Sequence, residues 1–152
     1  VIRIRYWILV GLLALAACSS GQQTAEDKGV NDRARIAAEY IAKGTAVAHL
    51  KEAADQVFPD GYKLEELPIL PLNCTAGGTL YGLHYAVRKI DPEGNEDYFD
   101  RMKQYWQAFG WRVENDARPY DMFMNATRFD YLMSIQGGIT GQITIGESTP
   151  CV

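Results

Sequence analysis

Apolar residues change their period once along this chain, at Gly110, and no other feature restricts the fold as tightly. Just before it, Tyr98, Met102, Tyr105 and Phe109 recur at i, i+4, i+7 and i+11, with Phe99 and Trp106 widening the stripe. That is the spacing of one helix face. Glu96, Asp97 and Asp100 stand in its first turns, where the helix dipole favours acids, and Gly110 closes it. Beyond Gly110 the period is two, as on strands with one buried face. Trp111 and Val113 start one strand and Met122 to Thr127 form a second. Phe129, Tyr131, Met133 and Ile135 mark a third, and Ile139, Ile143 and Ile145 the last, with Gly137-Gly138 as a hairpin turn.

Upstream, Asn31 or Asp32 is placed to cap a long helix. Ile36, Tyr40, Val47, Leu50, Ala54 and Val57 recur along it at helical spacing, Gly44 bends or splits it, and Phe58-Pro59-Asp60-Gly61 stops it. Residues 62–73, with Pro68 and Pro71, read as an extended crossing. Leu80 to Ile90 then alternates. Tyr81, Leu83, Tyr85 and Val87 face one way, and Gly82, His84, Ala86 and Arg88 the other. Helix, strand, helix and four strands make an α+β order. The expected fold is a single domain over 31–152, with a long N-terminal helix and a second helix on one face of a four- to five-stranded, mainly antiparallel sheet.

Residues 1–18 stand apart. Arg3 and Arg5 precede an uncharged, mostly apolar run from Trp7 to Ala17, and polar residues follow Cys18. The run is shorter than the roughly 20 residues that span a bilayer and fits an export signal. Leu15-Ala16-Ala17-Cys18 resembles the lipobox of bacterial lipoproteins. The resemblance implies removal of residues 1–17, diacylglycerol on the Cys18 thiol and further acylation, such as palmitate, at the new amino terminus. Residues 18–30 then read as the lipidated cysteine and a flexible tether. Ser19 and Ser20 do not resemble a retention signal. The expected address is therefore the outer face of the plasma membrane in an actinobacterium or other monoderm, or the outer membrane in a diderm.

With Cys18 taken by lipid, Cys74 and Cys151 remain, and an oxidising compartment favours their pairing over two free thiols. The chain carries 15 basic and 19 acidic residues. Without Arg3 and Arg5, 13 basic residues face 19 acidic ones, which argues against nucleic acid as a partner. The Tyr105-Trp106…Gly110-Trp111 step and the Ser148-Thr149-Pro150-Cys151-Val152 ending are similar to small actinobacterial envelope lipoproteins of the LppA type. That resemblance implies a fold and a compartment.

Chemistry is sparse. His49 and His84 are the only histidines, no G-x-S-x-G elbow is present, and no C-x₂-C spacing suggests zinc. Asp91, Glu93, Asn95 and Asp97 alternate like a calcium loop, but Glu96 and Met102 stand where such a loop needs glycine and glutamate. Glu65-Glu66, Asp116, Asp121 and Asp130 are the remaining carboxylates weighed for acid–base work. His49 reads as solvated or packing. The expectation is no enzyme, no metal and no cofactor. The chain reads as a monomeric, membrane-anchored accessory or protein-interaction domain with an envelope protein as partner. The alternative is a carrier of a lipid or small apolar ligand in a cavity between helices and sheet. Its ligand contacts would be His84, beside Gly82 and Ala86, and the aromatic residues Trp106 and Trp111. A catalytic version would resemble a steroid isomerase, with His84 and an Asp or Tyr in the cavity.

Overall fold

A computed structural model describes residues 25–138 and 141–152, with side chains from Lys28 onward. Residues 1–17, expected as an export signal, and Cys18 and Ile139 lie outside the described residues. Two helices and seven strands follow one another as α1 (Ala25–Val57), β1 (Lys63–Glu66), β2 (Leu70–Asn73), β3 (Thr79–Arg88), α2 (Asn95–Ala108), β4 (Arg112–Asp116), β5 (Phe123–Arg128), β6 (Tyr131–Gly137) and β7 (Ile143–Ser148). The sheet runs β1-β3-β7-β6-β5-β4, with β2 also on β3, and every pairing is antiparallel. It is an α+β fold.

Three expectations are corrected. The sheet is wider than four or five strands because residues 62–73, expected as a crossing, pair with β3 along one edge. Leu67 also donates its N–H to the His84 carbonyl, at 2.8 Å. Proline is tolerated there because an edge strand leaves half its N–H groups unused. Second, α1 begins at Ala25, ahead of the expected caps at Asn31 or Asp32, and runs through Gly44 unbroken. Third, of the expected row Leu50, Ala54 and Val57 are buried, together with Ala42, Ala46 and Ala53, while Ile36 and Tyr40 are exposed at 58% and 81%. Phe129 likewise lies in the β5–β6 turn with φ 49°, and is exposed.

The C-terminal half of α1 lies on β3 and β7, and α2 lies beside it over β4 and β6. Rows of inward side chains cross the sheet beneath them. One row is Met124, Ile135, Ile145 and Tyr85; the next is Val113, Ala126, Met133, Glu147 and Leu83. Phe99, Met102 and Trp106 of α2 and Leu50 of α1 fill the layer above, all fully buried. At the end of α2 the Trp111 N–H reaches back to the Trp106 carbonyl (2.8 Å), with Gly110 left-handed at φ 77°, a helix stop that needs glycine. Arg118 ties the chain beyond β4 to α2, donating to both Asp116 carboxylate oxygens at 2.8 and 2.9 Å and to Asp100 at 2.8 Å. The outer sheet face is small and polar, with Asn125, Ser134, Gly146 and His84 in one row.

Cys74 and Cys151 are joined, closing a separation of 77 residues. The bond draws the last residues onto the start of β3. Thr79 and Val152 exchange backbone hydrogen bonds of 2.9 and 3.0 Å. Gly78, at φ 88°, passes so close to the Val152 carbonyl that a Cβ would stand 2.8 Å from its oxygen. Replacing both cysteines with serine should cost roughly 2–4 kcal/mol, read as a lower midpoint in urea unfolding. Gly44, mid-helix with nothing within 4 Å of where a Cβ would sit, predicts the opposite sign. Gly44→Ala should stabilise by up to about 1 kcal/mol, seen as a higher Tm.

Candidate functional site

Alternation along β7 puts Ile143, Ile145 and Glu147 on the inner face. Glu147 is thus the one acid in an apolar row, between Leu83 of β3 and Met133 of β6, and it is 1% exposed. An ionised carboxylate in such a place needs a partner. His49 of α1 supplies one, its Nδ1 lying 2.7 Å from Glu147 Oε1. The imidazole is wedged edge-on between the rings of Trp111 and Tyr131, at 5.3 and 5.2 Å between centroids. Helix and sheet are therefore joined by a buried polar bond inside an aromatic cage.

Burial pushes the Glu147 carboxyl up to about 7, against the lowering effects of His49 and, more weakly, Arg128. The Tyr105 hydroxyl is pushed up to about 12, chiefly by burial and then by the charge of Glu52. Trp111 is near enough to Tyr105 to offset a small part of that rise, without a well-formed hydrogen bond. Among the described residues, Glu147 Oε2, Trp111 Nε1 and the Tyr105 hydroxyl have no hydrogen-bond partner. Arg128 stands over the Trp111 ring at 5.9 Å while donating to the Phe109 carbonyl. Acid, imidazole, phenol and indole thus share one buried neighbourhood where α1, α2 and β7 meet.

The three ligand-contact candidates fall in three different places. Trp111 belongs to this neighbourhood. Trp106 is fully buried in the core, its indole N–H donating to Met133 Sδ at 3.2 Å. His84 lies on the opposite face of the sheet. Its ring fills the space above two glycines: a Cβ at Gly146 would overlap Nδ1, and one at Gly82 would stand 3.1 Å from Nε2. The small residues around His84 are accounted for by its own imidazole, and burial lowers its pKa. Beside it a shallow hollow of about 320 Å³ is lined by Leu67, Pro68, Leu70 and Thr144.

Other carboxylates have structural partners. Asp116 is held by Arg118 and Lys103 (3.0 Å), which keep its carboxyl well below the usual range. Glu65 pairs with Arg88 at 2.6 Å. Asp91 accepts from the Glu93 N–H to start the short turn before α2, so the alternating oxygens there make a cap. Among the described residues, no three His, Cys, Asp or Glu side chains gather to hold a metal, and no helix is long and apolar enough to cross a membrane. No family model, curated protein or solved structure matches the chain.

Glu147 is not among the residues that stand out in the sequence, and His49 reads there as solvated or packing. A signal existed for Glu147, since it shares the inward parity of Ile143 and Ile145. His49 lies three residues from the buried Ala46 and beside Leu50, at the margin of the core stripe.

The raised pKa makes stability fall as pH rises. Folded Glu147 holds its proton to about 7, whereas the unfolded chain releases it near 4.3. The folded state therefore binds the extra proton between those values, and its contribution is fully present below the lower one and lost above the upper. Urea unfolding at pH 5 and pH 8 should show Glu147→Gln abolishing this part of the pH dependence, on the order of 3 kcal/mol at most. An unchanged slope would mean that Glu147 does not titrate in this window.

Proposed function

We propose that this chain is a lipid-anchored envelope protein whose domain serves as an interaction or accessory module, with no catalytic role. The observation that carries the reading is the solvent side of α1. Ile36, Tyr40 and Ile41 are exposed there at 58%, 81% and 65%, in the half of α1 that precedes its packing on the sheet. Exposed apolar surface of this kind marks a place where another molecule sits. The Glu147–His49 pair supports the same reading: it is enclosed between helix and sheet and works as a joint. The anchor rests on the resemblance of residues 15–18 to a lipobox. Diacylation or triacylation at one cysteine holds a domain stably, since each buried CH₂ contributes about 0.8 kcal/mol.

Two measurements test this reading. Cells fed labelled palmitate should label the full chain, and Cys18→Ser should lose the label and leave the membrane fraction. A photocrosslinking residue in place of Tyr40 should capture one discrete product in cells. A smear or no product would remove the interaction reading.

One observation favours the carrier alternative, an apolar hollow of about 320 Å³ between α1 and the sheet, lined by Val47, Leu50, Tyr62, Leu64 and Tyr85. Native mass spectrometry of the full chain should then show an added mass that leaves on denaturation. A bare chain would dismiss the carrier.

A further inference from the structure

The two helices hold the sheet with very different side chains. α2 sets Phe99, Met102 and Trp106 into the core, all fully buried. Where α1 first meets the sheet its inward residues are Ala42 and Ala46, and bulk arrives only with Leu50, Val57 and Phe58. Phe58 is backed by the Tyr98 ring at 5.4 Å, so α1 is firmly seated at its C-terminal end. An alanine buries little apolar area, and burial stabilises in proportion to area. Over 42–49 the seat therefore leans on three contacts. Lys43 stands over the Tyr81 ring at 3.8 Å, the Tyr131 hydroxyl reaches the Ala42 carbonyl at 3.5 Å, and His49 bonds to Glu147 at 2.7 Å. Only the last has an acid inside the core.

The ionisable groups turned toward Glu147 are His49 and Glu52 from α1, Tyr105 from α2, Arg128 from β5 and Tyr131 from β6. β3 contributes the uncharged Leu83 and, two residues away, Tyr81, which Lys43 engages. Arg128 is committed to the Phe109 carbonyl at 3.0 Å. With its proton on, the Glu147 carboxyl donates to the imidazole Nδ1 and the joint is uncharged. When the proton leaves, Nδ1 takes it while Nε2 releases its own to water, because the His49 side chain is 18% exposed and that of Glu147 is not exposed at all. What stays behind is a carboxylate in an apolar row, with Oε1 bonded to His49 and Oε2 bonded to nothing. A charge so placed is costly, and opening to water relieves the cost.

We infer that this bond is a pH-operated catch: ionisation of Glu147 unseats residues 42–50 of α1 from the sheet while α2 and the C-terminal end of α1 stay in place. The angle between the projecting half of α1 and the sheet then changes with pH. The inference goes beyond the interaction reading and needs neither an anchor nor a partner. In the closed form Glu147 holds its proton to about 7, and once solvated it releases it near 4.3. The closed seat is therefore favoured at acid pH, weakens as pH rises between those values and gains no further weakness above the upper one.

The test is amide hydrogen exchange on the full chain in detergent at pH 5 and pH 8, with each rate taken relative to the intrinsic rate at that pH. Amides of residues 42–50 should open roughly 70-fold more at pH 8, while those of α2 keep their protection. Glu147→Gln, which keeps the shape and never ionises, should protect 42–50 equally at both values. In parallel, the infrared band of a protonated buried carboxyl should be present at pH 5 and gone at pH 8, which decides the matter in the unaltered chain even where the variant does not fold. A band that persists at pH 8 would overturn the catch. So would a band that vanishes while 42–50 stays protected, since the proton would then leave without moving the helix. Equal loss of protection in α2 would overturn the local opening, and the same pH response in Glu147→Gln would overturn the assignment to Glu147.

Discussion

The antiparallel contact between β3 and β7 is the joint on which the remaining architecture depends. β3 is the longest strand, at ten residues, and it uses both of its edges. β7 occupies one edge, while β1 and β2 share the other. β7 in turn hands the sheet on to β6, β5 and β4. The β3–β7 ladder is the one strand pairing that joins the early strands β1 to β3 to the late strands β4 to β7. The C-terminal residues strengthen the same joint, since they hydrogen-bond to the start of β3 and are fastened beside it by the disulfide. α1 lies along this seam in the sheet, so its inward row covers the contact that joins the halves.

The Glu147–His49 bond has to be understood from that position. A buried acid is a poor source of net stability, because the cost of removing it from water offsets most of what its partner returns. What such a pair supplies is orientation. Leu50 and the alanines of α1 present a smooth apolar row that would accept several rotations of the helix about its axis. One polar bond, 2.7 Å long and walled by Trp111 and Tyr131, favours a single rotation. The inward row of α1 and its outward apolar face are consequently set together.

Much of this fold is legible in the amino-acid sequence, and the exceptions have physical reasons. The period change at Gly110, the α2 stripe and the alternation of β3 each depend on local spacing, which burial reinforces. The Cys74–Cys151 pairing is also readable, because few cysteines are present. Residues 62–73 mislead, because Pro68 and Pro71 exclude a central strand but not an edge one. The first half of α1 misleads for another reason. Ile36 and Tyr40 carry the periodicity of a core stripe, yet the sheet does not extend beneath them. Periodicity reports that an apolar face exists and cannot report what covers it. The buried polar neighbourhood was the least legible feature, since Glu147, His49 and the Tyr105–Trp111 stretch come from three separated segments and meet only when the helices settle on the sheet.

The unbroken course of α1 has a mechanical consequence. From Ala25 to Ile41 the helix has no buried residue among those whose side chains are described, and at 1.5 Å per residue that stretch measures about 25 Å. A loop of equal residue count would let the domain wander over a broad range of distances. A helix of this length instead acts as a strut. Whatever its first turn is joined to is held at a set stand-off from the sheet, and a sideways push at that end reaches the Glu147–His49 bond as leverage.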